Sequence, residues 1–185
     1  INIKAIKKEK RLKKPFTETE LELIRRNAGN LRNRAIIEVL YSTGARVSEL
    51  CGMDREDICG DEITVFGKGE KERVVYLNAR AKLFVKEYLN TRTDSNEALF
   101  VGIKTRRRLE RGGVEAMLRE TGKRAGVKNC HPHRFRRTAG TLALNRGMPL
   151  EQVQQMLGHE KIETTTIYAR SMEKNVKASH EKYVV

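Results

Sequence analysis

Apolar residues recur along this chain with two different periods. Over the first third the period is helical. Thr17 and Glu20 make the pattern of a capping box and open a helix that runs to about Asn27, with Leu21 and Ile24 on its apolar face and Leu23 beside them. Ala35, Ile36, Val39 and Leu40 mark a second helix from about Leu31 to Ser42. Gly44 ends it, because glycine takes the left-handed conformation that follows a last helical turn. A short third helix follows, with Val47 and Leu50 facing inward. The period then shortens. Ile63-Thr64-Val65-Phe66 and Arg73-Val74-Val75-Tyr76, joined by Gly67-Lys68-Gly69-Glu70-Lys71, read as a β-hairpin with a glycine-rich, basic turn. Leu99-Phe100-Val101 is the candidate third strand. Helical spacing returns at 78–90, at about 112–125, and from His133 to Arg146, where Phe135, Ala139, Leu142 and Ala143 define one face. Gly147 closes that helix and Pro149 opens another, with Leu150, Val153 and Leu157 inward and Gly158 as its stop. The pattern predicts an α+β fold, mainly helical, with a small antiparallel three-stranded sheet. It contains neither an internal repeat nor a low-complexity segment.

Composition narrows the class of partner. The chain has 185 residues, enough for one domain with a real core. It carries a net charge of +14, which favours a polyanion. An anionic membrane surface would call for exposed aromatics on a basic helix, but aromatics are only 5% and Trp is absent, so nucleic acid is preferred. No apolar run is long enough to span a membrane, and the N-terminal residues lack the apolar core of a signal peptide. The three cysteines, Cys51, Cys59 and Cys130, fit no disulfide framework, so reduced thiols in the cytoplasm are expected. Cys130-His131-Pro132-His133 lacks a second cysteine pair at ligand spacing, and no metal is expected.

One set of residues carries chemistry. Arg46 and Arg136 can hold the oxygens of a phosphate, His133 and His159 can move or donate protons, and Tyr168 can attack. Together they form an inventory for phosphoryl transfer through a covalent protein–phosphate intermediate. Arg46 follows a glycine-stopped helix and opens the next, where free N–H groups favour an anion. His133 and Arg136 are three apart and share a helix face. Tyr41, Tyr76 and Tyr88 lie on apolar periods and are expected in or near the core, while Tyr183 lies near the end of the chain. Tyr168 stands nine residues after Leu157-Gly158-His159, behind Thr164-Thr165-Thr166. His131 and His180 have no motif partners and are assigned no role.

The order TGARVSEL, GKGEKERVV, HPHRFRR, LGH and then Tyr168 resembles the catalytic domain of the tyrosine recombinases, the family of phage integrases and Xer-like enzymes. The resemblance covers residues 15–180. It implies the DNA breaking-rejoining fold and a site-specific recombinase or integrase. In such an enzyme Tyr168 attacks a DNA phosphate to give a 3′-phosphotyrosyl intermediate, and a 5′ hydroxyl then exchanges strands without metal, ATP or other cofactor. It implies that Arg46 and Arg136 stabilise the phosphorane, that His133 assists proton removal, and that His159 donates to a non-bridging oxygen. It also implies that Glu49 orients the Arg and His side chains and that Lys68, flanked by glycines, protonates the leaving oxygen; Lys71 is its rival in the same turn. The chain departs from many relatives in having Arg137 after the second arginine.

Arg106, Arg107, Arg108, Arg111, Arg134, Arg137 and Lys71 are expected to grip the phosphates of double-stranded DNA. Residues 1–14, beginning with Ile1, are expected to be the end of a linker from an N-terminal core-binding domain, with the catalytic domain over 15–185. Met172, Val176 and Tyr183 form a narrow apolar stripe in the tail, about 171–185, which the resemblance implies is a helix exchanged between subunits of a homo- or hetero-tetramer on DNA. The isolated domain is compatible with a monomer. Two other readings compete. One is a type IB topoisomerase-like enzyme with the same chemistry. The other is a non-enzymatic DNA-binding protein, since residues 133–157 look superficially like a helix-turn-helix.

Overall fold

The computed structural model describes residues 14–67 and 72–158. Its elements run α1 (Glu18–Arg26), α2 (Leu31–Thr43), α3 (Val47–Gly52), β1 (Ile58–Cys59), β2 (Glu62–Phe66), β3 (Glu72–Tyr76), α4 (Ala79–Asn90), α5 (Arg111–Arg124), α6 (Pro132–Asn145) and α7 (Leu150–Leu157). The α1 start is the expected capping box: Glu20 N–H donates to Thr17 Oγ1, and Thr17 N–H donates to the Glu20 carboxylate. Helix α2 is the centre of the molecule. Ala35, Ile36, Ile37, Val39 and Leu40 cover most of its circumference and are all fully buried, as expected of a helix enclosed on every side. It packs against α4 and α6, and α7 lies on α6.

The sheet is antiparallel with order β1-β2-β3. Ile63 pairs with Val75 and Val65 with Arg73. The third strand is therefore Ile58–Cys59, not Leu99–Val101 as the sequence suggested. The reason is local. Arg92 donates to the carbonyls of Asn96, Ala98 and Leu99, and Leu99 N–H donates to Met53 O, so this stretch is held by side-chain and loop contacts instead of a ladder. Val101 makes only an isolated bridge to Arg108. Strand period also corrects Tyr76. Val75 faces the core, so Tyr76 must face out, and it is 58% exposed. Tyr88 is buried and Tyr41 half-buried, as expected.

Two glycines let α7 come close enough to shape the site. A Cβ at Gly44, where φ is +61°, would lie 2.8 Å from Leu157 Cδ2, and one at Gly140 would lie 3.0 Å from Leu157 Cδ1. Leu157 thus seats against both α6 and the turn after α2, and the C-terminal end of α7 is brought over the start of α3.

Candidate active site

The run Thr43-Gly44-Ala45-Arg46 is built to aim one side chain. Thr43 Oγ1 donates to Val39 O at 2.7 Å and accepts from Ala45 N–H at 3.1 Å, which closes the turn. Gly44 takes the left-handed conformation, Ala45 is buried, and Arg46 becomes the residue that precedes α3. Its N–H was expected to favour an outside anion. Instead Glu49 supplies the anion, accepting that N–H on Oε2 at 2.7 Å and Arg46 Nη1 on Oε1 at 2.9 Å. The Arg46 side chain remains 38% exposed, while Glu49 is only 3% exposed.

A second arginine reaches the same carboxylate. Arg73 Nη2 donates to Glu49 Oε2 at 2.6 Å, and Arg73 Nη1 donates to Met156 O at 2.7 Å. Arg73 was not among the candidates read from the sequence. The signal was present: Val75 is an inward position of β3, so the residue two before it points inward too, and an inward arginine in a strand needs a buried partner. Its Nε is buried and has no hydrogen-bond partner among the described residues.

Arg136 approaches from α6 and is 5% exposed. Its Nη1 donates to Gly44 O at 2.6 Å and its Nη2 donates to Leu157 O. Arg46 Nη2 donates to Gly158 O at 2.9 Å. Three guanidinium groups therefore meet successive carbonyls, of Met156, Leu157 and Gly158, where α7 ends. The last carbonyls of a helix lack intrahelical partners and carry the negative end of its dipole, so they attract cations. Gly158 is left-handed, with φ +61° and ψ +48°, and stops α7 as the sequence suggested.

Burial pushes the Glu49 carboxyl up, but the Arg46 N–H and the charges of Arg73 and Arg46 outweigh this and hold it below the usual carboxylate range. Burial lowers the Arg73 guanidinium, and Glu49 opposes that only in part. A carboxylate ionised at neutral pH and flanked by two guanidiniums is a rigid holder for them. The Cys51 and Cys130 thiols are poor nucleophiles: burial pushes Cys51 up to about 11 and Cys130 up to about 12. Among the described residues no group of His, Cys, Asp and Glu side chains is arranged to hold a metal ion, and no helix is long and apolar enough to cross a membrane.

The structure thus brings together Arg46, Glu49 and Arg136. His133 lies one turn before Arg136 on α6 and is exposed. Lys68, Lys71, His159 and Tyr168 lie outside the described residues, as do the tail stripe and residues 1–13. The basic residues divide. Arg106 and Arg107 are exposed on a loop, and Arg137 is half-buried. Arg111 is exposed but paired with Glu115 at 2.8 Å. Arg108 and Arg134 do not fit the expectation of a phosphate grip. Arg108 binds Asp54 and the carbonyls of Cys51 and Met53. Arg134 lies over the Phe16 ring, its Nη2 donates to both Glu20 oxygens and to Pro15 O, and its Nε and Nη1 donate to the carbonyls of Lys14 and Lys128.

The chain resembles known proteins over nearly its whole length. The model of the phage integrase family matches residues 10–175. Tyrosine recombinase XerC of Corynebacterium glutamicum is 40% identical over 157 residues, covering 82% of this chain and 51% of that protein. XerC of Staphylococcus aureus is 40% identical over 174 residues, covering 88% and 58%. Tyrosine recombinase XerA of Pyrococcus horikoshii is 35% identical over 178 residues, covering 94% and 62%. The chain therefore spans roughly half to three fifths of the length of these relatives. A crystal structure of XerA recombinase superposes with a TM-score of 0.82 at 31% identity, covering 92% of this chain and 65% of that one. The Tn1549 transposon integrase, solved with transposon right end DNA, has the same fold at a TM-score of 0.82 and 21% identity. These matches, over the same span as the arginine cluster and the glycine-stopped helix before His159, make the chain a member of the phage integrase family.

Proposed function

We propose that this chain is the catalytic domain of a site-specific DNA recombinase. One observation supports the reading most: Arg46, Arg73 and Arg136 converge, around buried Glu49, on the residues immediately before His159. A scissile phosphate beside that cluster would meet preorganised positive charge, which stabilises the phosphorane as it forms. The Tyr168 oxygen attacks phosphorus, the bond to the 5′ oxygen breaks, and Tyr168 is left joined to the 3′ phosphate. The tyrosine proton leaves by way of His133, and Lys68 protonates the departing 5′ oxygen. His159 and the two clamp arginines, Arg46 and Arg136, hold the non-bridging oxygens. A 5′ hydroxyl from another strand reverses the step, so one phosphodiester is exchanged for another with no metal, nucleotide or other cofactor.

Double-stranded DNA is the partner, supported by the net charge of +14. The protein works in the cytoplasm and assembles as a homo- or hetero-tetramer on paired sites, with the tail of one subunit on the next. An apolar cleft of about 840 Å³, lined by Val74, Tyr76, Leu142, Met148 and Met156, supports a docking role for the Met172, Val176 and Tyr183 stripe. A non-enzymatic helix-turn-helix reading is not favoured, because α6 contributes a buried arginine to the cluster. Topoisomerase-like relaxation is not favoured by the recombinase relatives. The test is a nicked suicide duplex that traps the covalent product. The wild type is expected to give a band that survives denaturation, and Tyr168→Phe to give none while still binding DNA. An adduct mapped to Tyr183, or one formed by Tyr168→Phe, would overturn the assignment.

A further inference from the structure

Arg73 belongs to the arginine cluster but is not one of the two clamp arginines given the phosphate oxygens. It sits on the inward face of β3 opposite Val65, five residues after Lys68 in the chain. Its two terminal nitrogens go to different elements, Glu49 of α3 at 2.6 Å and Met156 O of α7 at 2.7 Å. Its Nε and Cδ lie so close to Gly158 that a Cβ there would be 2.7 and 2.8 Å away. Resting on the function proposed above, we infer that Arg73 is a positioning residue. It fixes the Arg46 guanidinium, the start of the strand that follows Lys68 and the end of α7 that precedes His159 relative to one another.

Each link is physical. Glu49 has one oxygen on the Arg46 side chain and the other shared by Arg73 and the Arg46 N–H, so moving Arg73 frees the carboxylate to rotate and lets the Arg46 side chain swing. A guanidinium is a rigid planar fork, so it fixes the angle between its two acceptors; a lysine ammonium is a point charge on a flexible stem and does not. The end of α7 cannot slide along β3 without breaking the bond to Met156 O. Arg73 itself is held by the strand, one register position from the Phe66–Glu72 pair. A shift of about 1 Å between reacting groups can cost on the order of a hundredfold in rate.

The experiment is single-turnover cleavage of the suicide duplex at saturating DNA by the intact protein, with Arg73→Ala, Arg73→Lys, Arg46→Ala and the Arg46→Ala/Arg73→Ala pair. Arg73→Ala is expected to slow cleavage about 30-fold or more while DNA affinity stays within about threefold, a loss in rate and not in binding. In the Arg46→Ala background the same change is expected to cost at least fivefold less, since part of its effect passes through Arg46. Arg73→Lys keeps the charge and is expected to melt near the wild type yet remain slow, and it carries the test should the alanine variant fail to fold. Three results would overturn the inference while leaving the proposed function intact: a wild type that forms the Tyr168 adduct beside an Arg73→Ala that cleaves within threefold of it, Arg73 and Arg46 effects that simply multiply, or a lysine variant that cleaves at the wild-type rate. A wild type that forms no adduct at all would remove the function beneath it.

Discussion

Two buried carboxylates in this molecule have the same chemistry and different surroundings. Glu38, on α2, is fully buried and held by two arginines. Arg25 donates to both of its oxygens at 2.9 Å, and Arg34 Nε donates to Oε1 at 2.9 Å. Those arginines are finished locally: Arg34 Nη1 donates to Arg25 O, Arg34 covers Phe84, and Arg25 covers Tyr41. Glu49 is likewise buried and likewise holds two arginines, but its cluster is open. The Arg46 side chain is 38% exposed, and Arg73 keeps a buried Nε without a partner among the described residues. The first cluster joins α1 to α2 and looks inward. The second gathers α3, β3 and α7 and presents a guanidinium to the surface. The chemical inventory does not separate a structural ion-pair cluster from a catalytic one. What marks the second as the candidate site is the Arg46 side chain left open to the surface.

The largest effect that sharpens this contrast is expected at Arg136. Arg136→Ala removes a clamp guanidinium and leaves the Gly44 and Leu157 carbonyls without that donor, so cleavage is expected to fall about 100- to 1000-fold in single-turnover assays. Arg25→Ala, the comparable change in the closed cluster, is expected to lower the melting temperature and leave cleavage within about threefold at a temperature where the variant is folded.

A smaller effect is expected at Gly158. Ala there must adopt φ +61° and also crowd Arg73, whereas Ala at Gly60, φ +64°, meets nothing within 4 Å. Both variants are expected to lose about 1–2 kcal/mol of stability from the left-handed backbone. Only Gly158→Ala is expected to slow cleavage, by about tenfold. Equal cleavage by the two would mean that the approach of Arg73 to Gly158 has no bearing on the rate.

Acid should distinguish Glu49 as well. Its folded pKa lies below the ordinary carboxylate value of 4.5, so ionised Glu49 contributes stability above that value, and the contribution is lost as pH falls through the depressed folded value. The melting-temperature gap between wild type and Glu49→Gln is therefore expected to be full near neutrality and to close below pH 4.5. A gap that widens in acid would contradict this sign.

The smallest effect concerns the basic surface. Arg106→Ala is expected to reduce the salt dependence of DNA binding by about one phosphate contact. Arg134→Ala is expected to leave that slope unchanged and lower the melting temperature, because Arg134 is bound to Glu20 and Phe16.

What was legible in the sequence was local. Thr17 with Glu20, Gly44 and Gly158 each set a helix end through residues within a turn of it, and those ends lie where the pattern put them. The spacing of Arg46, Glu49 and Arg136 within ordered motifs also marked the cluster, together with the family. What was illegible depended on contacts distant along the chain. The Leu99–Val101 stretch reads as a strand, but Arg92 occupies the Leu99 carbonyl and Arg32 the Val101 carbonyl. Arg108 and Arg134 read as phosphate grips, but Asp54 and Glu20 claim them from 54 and 114 residues away. Arg73 read as one more basic residue of a hairpin, because the carboxylate it meets is 24 residues earlier on another element.

The most direct measurement of the central claim sets Glu38→Gln beside Glu49→Gln, each melted and each assayed for single-turnover cleavage at 25 °C. Glu38→Gln is expected to lose on the order of 3 kcal/mol, because it leaves two arginines short of their counter-charge in a closed site, and to cleave within about threefold of wild type. Glu49→Gln is expected to lose less stability, since Arg46 can turn to water, and to cleave about 30- to 100-fold more slowly. Cleavage by Glu49→Gln at the wild-type rate, or an equal slowing of both variants, would contradict the account.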